Sequence, residues 1–449
     1  MSEKYLIVGA GRSGIAAAKM LTELNKDFVI FDGNENLDKA TVKEKIGTDK
    51  DIDFILGNVS AGGLDGIDIC VVSPGVPLDT PIMLAVKEKN IPIYSEIELA
   101  YLYDKGEIIA ITGTNGKTTT TSLVYEIVKA HNAHTLLVGN IEIPYTGLAL
   151  TSQAGGATVA EISSFQLETM ITFKPRVSAI LNITPDHLDR HKTMENYIEV
   201  KKSIAKNQGT NDFCVLNYED DTLRDFGKEL KCKAIYFSSK RELTDGWFYK
   251  DGTVYFAENG KAEPFIKAEE TNLVGLHNFE NIMAAAAMTK AFGIPEEIIK
   301  DTIRHFRAVE HRIEYVATKN GVKYYNDSKG TNTDAAIKAI DAMPSTTVLI
   351  GGGYDKNADF NEWVSHFPGK VRKLVLIGQT REKIAKCCDD IGFKDYTFAQ
   401  SLEEAVKICA DSAKEGDCCL LSPACASWGM FKCYQQRGDM FKELVKALD

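Results

Sequence analysis

The chain has 449 residues, of which 44% are hydrophobic and 26% charged, and its formal net charge is −11. That length exceeds one ordinary hydrophobic core and calls for roughly two to four domains. The acidic balance, with no basic stretch to offset it, excludes nucleic acid and anionic membrane surfaces as expected partners, so any bound phosphate must be held by backbone N–H groups and a few placed cations.

The N-terminus reads Met-Ser-Glu-Lys and runs straight into a strand-length burst, Tyr5–Val8, followed by glycines. No signal peptide is expected, and no apolar run reaches the roughly 18 residues of a membrane span. Phe28–Phe31 and Ile69–Val72 are further strand-length bursts, and Gly14–Leu24 has helical spacing between them. That alternation predicts a parallel α/β sheet. A second strand–loop–helix series begins at Ile108–Thr112 and continues past Leu181. Trp247–Phe265 alternates differently, and Asp251-Gly252 is a hairpin signal, so a small antiparallel appendage is expected there. Asn278–Phe292 is alanine-rich and reads as a buried helix. A third series starts near Tyr324 and includes Val348–Ile350, Leu374–Ile377 and Cys418–Leu421. The restarts of the pattern place domain boundaries near 94 and 304. The ten cysteines are scattered, with vicinal pairs Cys387-Cys388 and Cys418-Cys419 and no C-x-x-C. They read as reduced, small core residues in a cytosolic chain.

Three turns suit phosphate. Gly9-Ala10-Gly11-Arg12-Ser13-Gly14 lies between a strand and a helix, with Asp32 closing the next strand. This is a dinucleotide fingerprint; the alternative is a tight turn with no ligand. Too few residues precede the next loop for a second mononucleotide-binding half. A nucleotide-diphosphate site is therefore expected rather than an NAD site, with Ser13 on phosphate and Asp32 facing base or sugar. The second turn is Thr112-Gly113-Thr114-Asn115-Gly116-Lys117-Thr118-Thr119. A glycine turn opening a helix offers a nest of N–H donors at the positive end of the helix dipole. Lys117 would reach the β- and γ-phosphates and Thr118 would coordinate Mg²⁺. The loop departs from the Walker spacing, because Ile111 stands where the first glycine is expected. The third is Gly351-Gly352-Gly353-Tyr354-Asp355-Lys356, where Lys356 would face a phosphoryl group or a substrate carboxylate.

Glu161 follows the apolar run Ala157–Ala160, and an acid at a strand end facing a phosphate loop suits Mg²⁺; a helix-start acid is the alternative. Asn182–His191 gathers several functional side chains after a strand, and His187 reads as a metal or phosphate ligand or as a general base. Lys201-Lys202 lies on a helix whose default is a solvated face. In the last third, Arg312 would fork onto phosphate and Asp327 would hold an adenosine ribose. Ser422–Trp428 follows a strand and would cap a helix that grips an acid; Cys425 within it lacks a base partner and reads as a buried thiol.

In order along the chain, Thr112–Thr119, Glu161–Glu168, Asp186–Arg190, Gly275–Asn278, His311-Arg312, Asn326–Asn332 and Ser422–Ser427 resemble the Mur ligase family, and within it the branch that adds D-glutamate. The resemblance implies an α/β fold of three domains. These are a Rossmann-like UDP-substrate-binding domain (1–94), a P-loop-type ATPase domain with a parallel sheet (95–304) and a Rossmann-like amino-acid-binding domain (305–449). It implies an ATP-dependent amide ligase joining D-glutamate to UDP-N-acetylmuramoyl-L-alanine through an acyl phosphate, in cytoplasmic peptidoglycan precursor synthesis. A monomer is expected. Gly113–Thr119 with Asn278, Arg312 and Asp327 match ATP contacts. Thr118, Glu161, His187 and a carbamylated Lys201 match ligands of two Mg²⁺ ions, with Lys202 one register away. Lys356 and Ser427 match D-glutamate carboxylate contacts, with Lys329 and Thr331 nearby and Trp428 and Tyr434 in proximity. Asn140 matches a UDP-substrate contact, with Ser73 as a second candidate. Another Mur ligase adding a different amino acid would carry other residues at 326–332 and 422–427, and a folylpolyglutamate synthetase would lack the first domain. An NAD-linked oxidoreductase leaves the second glycine loop unexplained. A regulatory nucleotide-binding module would not need Glu161, His187 and Arg312 together.

Overall fold

The three apolar bursts of the N-terminal region are strands of one parallel sheet, which holds two further strands, Asp53–Leu56 and Ile93–Ser95, that the sequence did not single out. In the computed structural model, which describes residues 3–48, 50–58, 61–141, 143–307, 310–356 and 358–448, these are Lys4–Val8 (β1), Asp27–Asp32 (β2), Asp53–Leu56 (β3), Ile69–Val72 (β4) and Ile93–Ser95 (β5). They lie in the order β3-β2-β1-β4-β5, and every pairing is parallel. All four residues of β4 are buried, as expected of a strand covered on both faces. Helix Arg12–Glu23 turns Ala16, Ala17, Met20 and Leu21 inward, a stripe at helical spacing.

The second sheet contains Glu107–Thr112 (β6), Thr135–Gly139 (β7), Ala157–Glu161 (β8), Val177–Ile180 (β9), Phe213–Asn217 (β10), Lys233–Ser238 (β11), Gly246–Lys250 (β12), Thr253–Glu258 (β13) and Lys261–Lys267 (β14). Their order is β14-β13-β12-β11-β10-β9-β6-β8-β7. The expected hairpin exists: Asp251 and Gly252 both have positive φ, and β12 pairs antiparallel with β13. The appendage is joined to the edge of the central sheet. The β12 strand pairs in parallel with β11 at Phe237↔Trp247 and Ser238↔Phe248, so the hairpin extends the central sheet. Trp247, fully buried, packs against Phe256 and Phe265 at ring distances of 5.0 and 4.7 Å and fixes that edge. The alanine-rich helix runs Leu276–Phe292 and buries Ala284 to Ala287.

The third sheet comprises Glu314–Lys319 (β15), Val322–Asn326 (β16), Thr347–Gly351 (β17), Val371–Leu376 (β18), Tyr396–Phe398 (β19) and Cys418–Leu421 (β20), in the order β15-β16-β20-β17-β18-β19. It begins one strand before the expected start near Tyr324. The β15 strand is an antiparallel edge with a register shift between Tyr315 and Ala317 and no fully buried residue, so it carries no apolar burst.

The chain divides into two compact units, Met1–Ile266 with Glu280–Ile303, and Lys267–Phe279 with Arg304–Asp449. No helix among the described residues is long and apolar enough to cross a membrane.

Candidate active site

In the first unit, β6 delivers the chain to the Gly113–Gly116 loop, and helix Lys117–His131 begins at once. Gly116 caps that helix at φ +83°, and a Cβ there would meet Asn281 Oδ1 at 2.4 Å, so the turn demands glycine. The loop is braced from behind. Thr114 N–H donates to the Asn182 carbonyl at 2.9 Å, and Asn115 N–H donates to Asn182 Oδ1 at 2.8 Å. The Thr114 hydroxyl lies 3.1 Å from the Tyr197 hydroxyl. Lys117 Nζ donates to the carbonyls of Gly113 and Thr114, each at 2.9 Å.

Lys201 shares that acceptor, donating to the Gly113 carbonyl at 2.9 Å. It stands four residues after Tyr197 on helix Met194–Lys202, on the face that packs behind the loop, and is 1% exposed. Burial first, and then the Lys117 charge, hold its pKa well below the ordinary lysine value, against a smaller upward pull from Asp186. Lys202 pairs instead with Glu199 at 3.2 Å.

Glu161 ends β8 and is buried. Its Oε1 accepts from Asn140 Nδ2 at 2.8 Å, while its Oε2 is buried with no hydrogen-bond partner among the described residues. A buried acceptor left open is costly, and a hard divalent cation satisfies it. Thr118 is half-buried in the first turn of the helix and Thr119 is buried. His187 is exposed, at φ +51°, with Nε2 3.5 Å from Asp186 Oδ2 and its ring edge-on to Phe165.

The N-terminal turn also belongs to this unit. A Cβ on Gly14 would meet the Gly9 carbonyl oxygen at 1.8 Å, which requires glycine for the close helix–strand approach. Asp32 Oδ2 accepts from Ala10 N–H at 2.8 Å and Oδ1 from Asn34 N–H at 2.9 Å, so the acid pins the turn. Ser73 Oγ donates to the Gly9 carbonyl at 3.2 Å, and Ser13 lies half-buried in the first turn of its helix. A cleft of 380 Å³ opens here, lined by Gly9, Asp32, Gly33, Gly57, Gly75 and Pro77 among others.

In the second unit, Asp327 directly follows β16 and is buried, accepting from Ser422 Oγ at 2.7 Å. Burial pushes its pKa up to about 7, while Ser422 and Arg312 pull it down. His277 is pushed down to about 4 by burial and then by Arg312. Asn278 Nδ2 donates to the Val274 carbonyl at 2.7 Å, and Arg312 is half-buried. Lys356 Nζ lies 5.1 Å from the centre of the Trp428 ring, and Tyr354 packs on the same ring at 5.6 Å. A bridge between Tyr354 and Ala426 joins the two loops, with Ser427 buried beside the exposed Trp428. Lys329 Nζ lies 5.8 Å from the Tyr434 ring centre, and Thr331, two residues on, is half-buried.

Ser422–Trp428 does not cap a helix. It is an irregular loop with Ala424 at φ +57°, and the following helix starts only at Tyr434. Arg437 on that helix holds the loop. Fully buried, it donates from Nε to Ser328 Oγ at 2.9 Å, from Nη2 to the Ser328 carbonyl at 2.8 Å, and from both terminal nitrogens to the Cys425 carbonyl at 3.2 Å. It thus fastens the 326–332 segment to the 422–427 segment. Sequence reading passed over it, although Arg437, Phe441 and Val445 share one buried helical stripe, on which a charge is anomalous. All ten cysteines are free, and burial pushes the Cys425 thiol up to about 11, which leaves it unreactive.

Residues 3–95 match the Mur ligase MurD-like N-terminal domain, 111–289 the Mur ligase middle domain, and 311–425 the Mur ligase glutamate ligase domain. The chain is 54% identical over 447 residues to a UDP-N-acetylmuramoylalanine–D-glutamate ligase of Lachnospira eligens, covering 100% of this chain and 99% of that one. It is 50% identical over 448 residues to the protein of the same name from Lachnoclostridium phytofermentans, with the same coverage. Among solved structures, it is similar in fold to the UDP-N-acetylmuramate-alanine ligase of Thermotoga maritima (TM-score 0.62, 18% identity, 100% of both chains). It is also similar in fold to the MurF ligase of the same organism in complex with ADP (TM-score 0.61, 18% identity, 100% of this chain and 96% of that one).

Proposed function

The chain belongs to the Mur ligase family, and from that premise we propose that it joins D-glutamate to UDP-N-acetylmuramoyl-L-alanine at the expense of ATP. The observation that carries the chemistry is the meeting of Lys117 and Lys201 on the Gly113 carbonyl, beside a helix start suited to phosphate. Full-length identity to proteins named for D-glutamate addition supports the amino acid. In this reading the chain works as a cytoplasmic monomer with a region for each of the three substrates. Residues 1–94 take the UDP-substrate, 95–304 take ATP, and 305–449 take the amino acid.

The muramoyl-alanine carboxylate is a poor electrophile. One of its oxygens attacks the γ-phosphorus of ATP, the bond to the bridging oxygen breaks, and ADP leaves an acyl phosphate. The amine of D-glutamate then attacks the acyl carbon, phosphate departs with its electron pair, and the nitrogen loses a proton to give the amide. Lys117 leaves its loop carbonyls for the β- and γ-phosphates and offsets charge that develops in transfer. The Gly113–Thr119 backbone orients the phosphates, and Asn278, Arg312 and Asp327 hold the rest of the nucleotide. Mg²⁺ at two positions would supply charge neutralisation, held by Thr118, Glu161, His187 and a carbamylated Lys201; the open, buried Oε2 of Glu161 fits that role. Burial lowers the Lys201 pKa toward the neutral amine that carbamylation needs, and this favours Lys201 over Lys202. Ser13, Asp32, Ser73 and Asn140 serve the UDP-substrate. Lys356, Ser427, Lys329 and Thr331 serve D-glutamate, with Trp428 and Tyr434 as walls. Excluding water protects the acyl phosphate from hydrolysis.

Incubation with ATP, UDP-N-acetylmuramoyl-L-alanine and D-glutamate tests the reading by mass spectrometry. The dipeptidyl product should appear with one ADP and one phosphate per amide bond; ATP hydrolysis with no amide product would contradict it.

A further inference from the structure

We propose that Arg190 is a positioning residue for the UDP-substrate, acting through the loop 73–77 rather than by touching the ligand. This rests on the reading of the N-terminal cleft as the UDP-substrate site. The loop is short of internal support: it contains Pro74, Gly75 and Pro77, forms no helix or strand, and makes one turn bond, Val76 N–H to the Ser73 carbonyl. On one side it lines the 380 Å³ cleft with Gly75 and Pro77. The same two residues line a second cleft of 480 Å³ on the other side, where Arg190 and Glu168 also lie. The loop is therefore a thin wall.

Arg190 holds that wall from outside the substrate cleft. Its Nη1 donates to the Pro74 carbonyl at 2.7 Å and its Nη2 to the Val76 carbonyl at 3.1 Å. Nη2 also donates to Glu168 Oε2 at 2.6 Å, and Nε to both Glu168 oxygens at 3.2 Å. The guanidinium lies 4.3 Å from the centre of the Phe165 ring. Both partners of the ion pair are about nine-tenths buried, at 12% and 11% exposure, so this is a built contact rather than a surface pair. A planar fork anchored on a carboxylate and an aromatic face presents its remaining donors in fixed directions, and two carbonyls two residues apart fix the loop in place and tilt. Arg190 also follows His187 by three residues.

The test uses the full-length protein, with calorimetry of UDP-N-acetylmuramoyl-L-alanine and steady-state kinetics for all three substrates. Arg190→Lys keeps the charge and loses the fork; Arg190→Gln loses both; Glu168→Gln removes the anchor and leaves the guanidinium. Arg190→Lys should weaken binding and raise KM for the UDP-substrate roughly tenfold or more, the worth of a charge-assisted hydrogen bond. KM for ATP and for D-glutamate should stay within about twofold of wild type, since neither is held by this loop. Glu168→Gln should shift the same constant in the same direction. If Arg190→Gln does not fold, the other two variants carry the same readout. Unchanged UDP-substrate affinity in Arg190→Lys, or an equal rise in all three KM values, overturns the inference while leaving the functional reading intact. A wild-type protein that does not bind the UDP-substrate overturns both.

Discussion

Lys117 and Lys201 donate to the same oxygen, each Nζ standing 2.9 Å from the carbonyl of Gly113. Burial disfavours a charge on Lys201, and the charge of Lys117 is the next largest effect pressing it toward the neutral form. A carbamate at Lys201, as proposed above, would replace that crowding with an opposite-charge pair and would offer a hard oxygen ligand at the phosphate loop.

Lys201→Ala should accordingly be nearly inactive and recover in part with added acetate, which replaces the missing carboxylate. Lys202→Ala should keep its activity, because Lys202 is engaged with Glu199. Activity in both variants would dispose of the carbamate; the reverse pattern would move it to Lys202.

Lys117→Ala should fold and lose turnover by about a hundredfold or more, the usual cost of removing one electrostatic contact to charge developing in the transition state. Circular dichroism and steady-state rates under saturating ATP check this. A rate within about tenfold of wild type would show that the loop does not act in catalysis.

Asp327 gives a pH signature. Its ordinary value is 3.8 and burial raises it to about 7 in the folded chain. The folded state thus holds a proton that the unfolded state releases. The stability this contributes is fully present below about pH 4 and is lost as pH rises through about 7. Urea denaturation of the nucleotide-free protein across that window should show the decline, and Asp327→Asn should flatten it. An equal slope in the variant would assign the decline to other groups.

Arg437→Met should lower the unfolding free energy of its unit by about 3 kcal/mol, because the Ser328 and Cys425 carbonyls lose their donors inside the protein. Urea denaturation measures it, and a loss below about 1 kcal/mol would mean that water or other donors replace the guanidinium.

The parallel strands that are short apolar runs buried on both faces were legible, and Ile69–Val72 and Cys418–Leu421 were placed to the residue, whereas the more exposed parallel strands Asp53–Leu56 and Tyr396–Phe398 were not anticipated. The half-buried edge strand Glu314–Lys319 carries no such run and was not anticipated. The turn at Asp251-Gly252 was readable locally. Its pairing with β11 was not, since that depends on which sheet edge was left open. Around the candidate site, Gly113, Lys117 and Glu161 announce themselves by type and by position after a strand. The carbonyl contact of Arg190 and the loop contacts of Arg437 do not, because those partners lie more than a hundred residues away, at Pro74 and Ser328. No local pattern encodes such a contact.

The central claim is amide formation with D-glutamate, and the most direct measurement is phosphate release from ATP with UDP-N-acetylmuramoyl-L-alanine present and each amino acid offered in turn. D-glutamate alone should drive sustained release with product formation, while L-glutamate, L-alanine, L-lysine and meso-diaminopimelate should leave it at background. Equal turnover with L-lysine or meso-diaminopimelate would contradict the assignment.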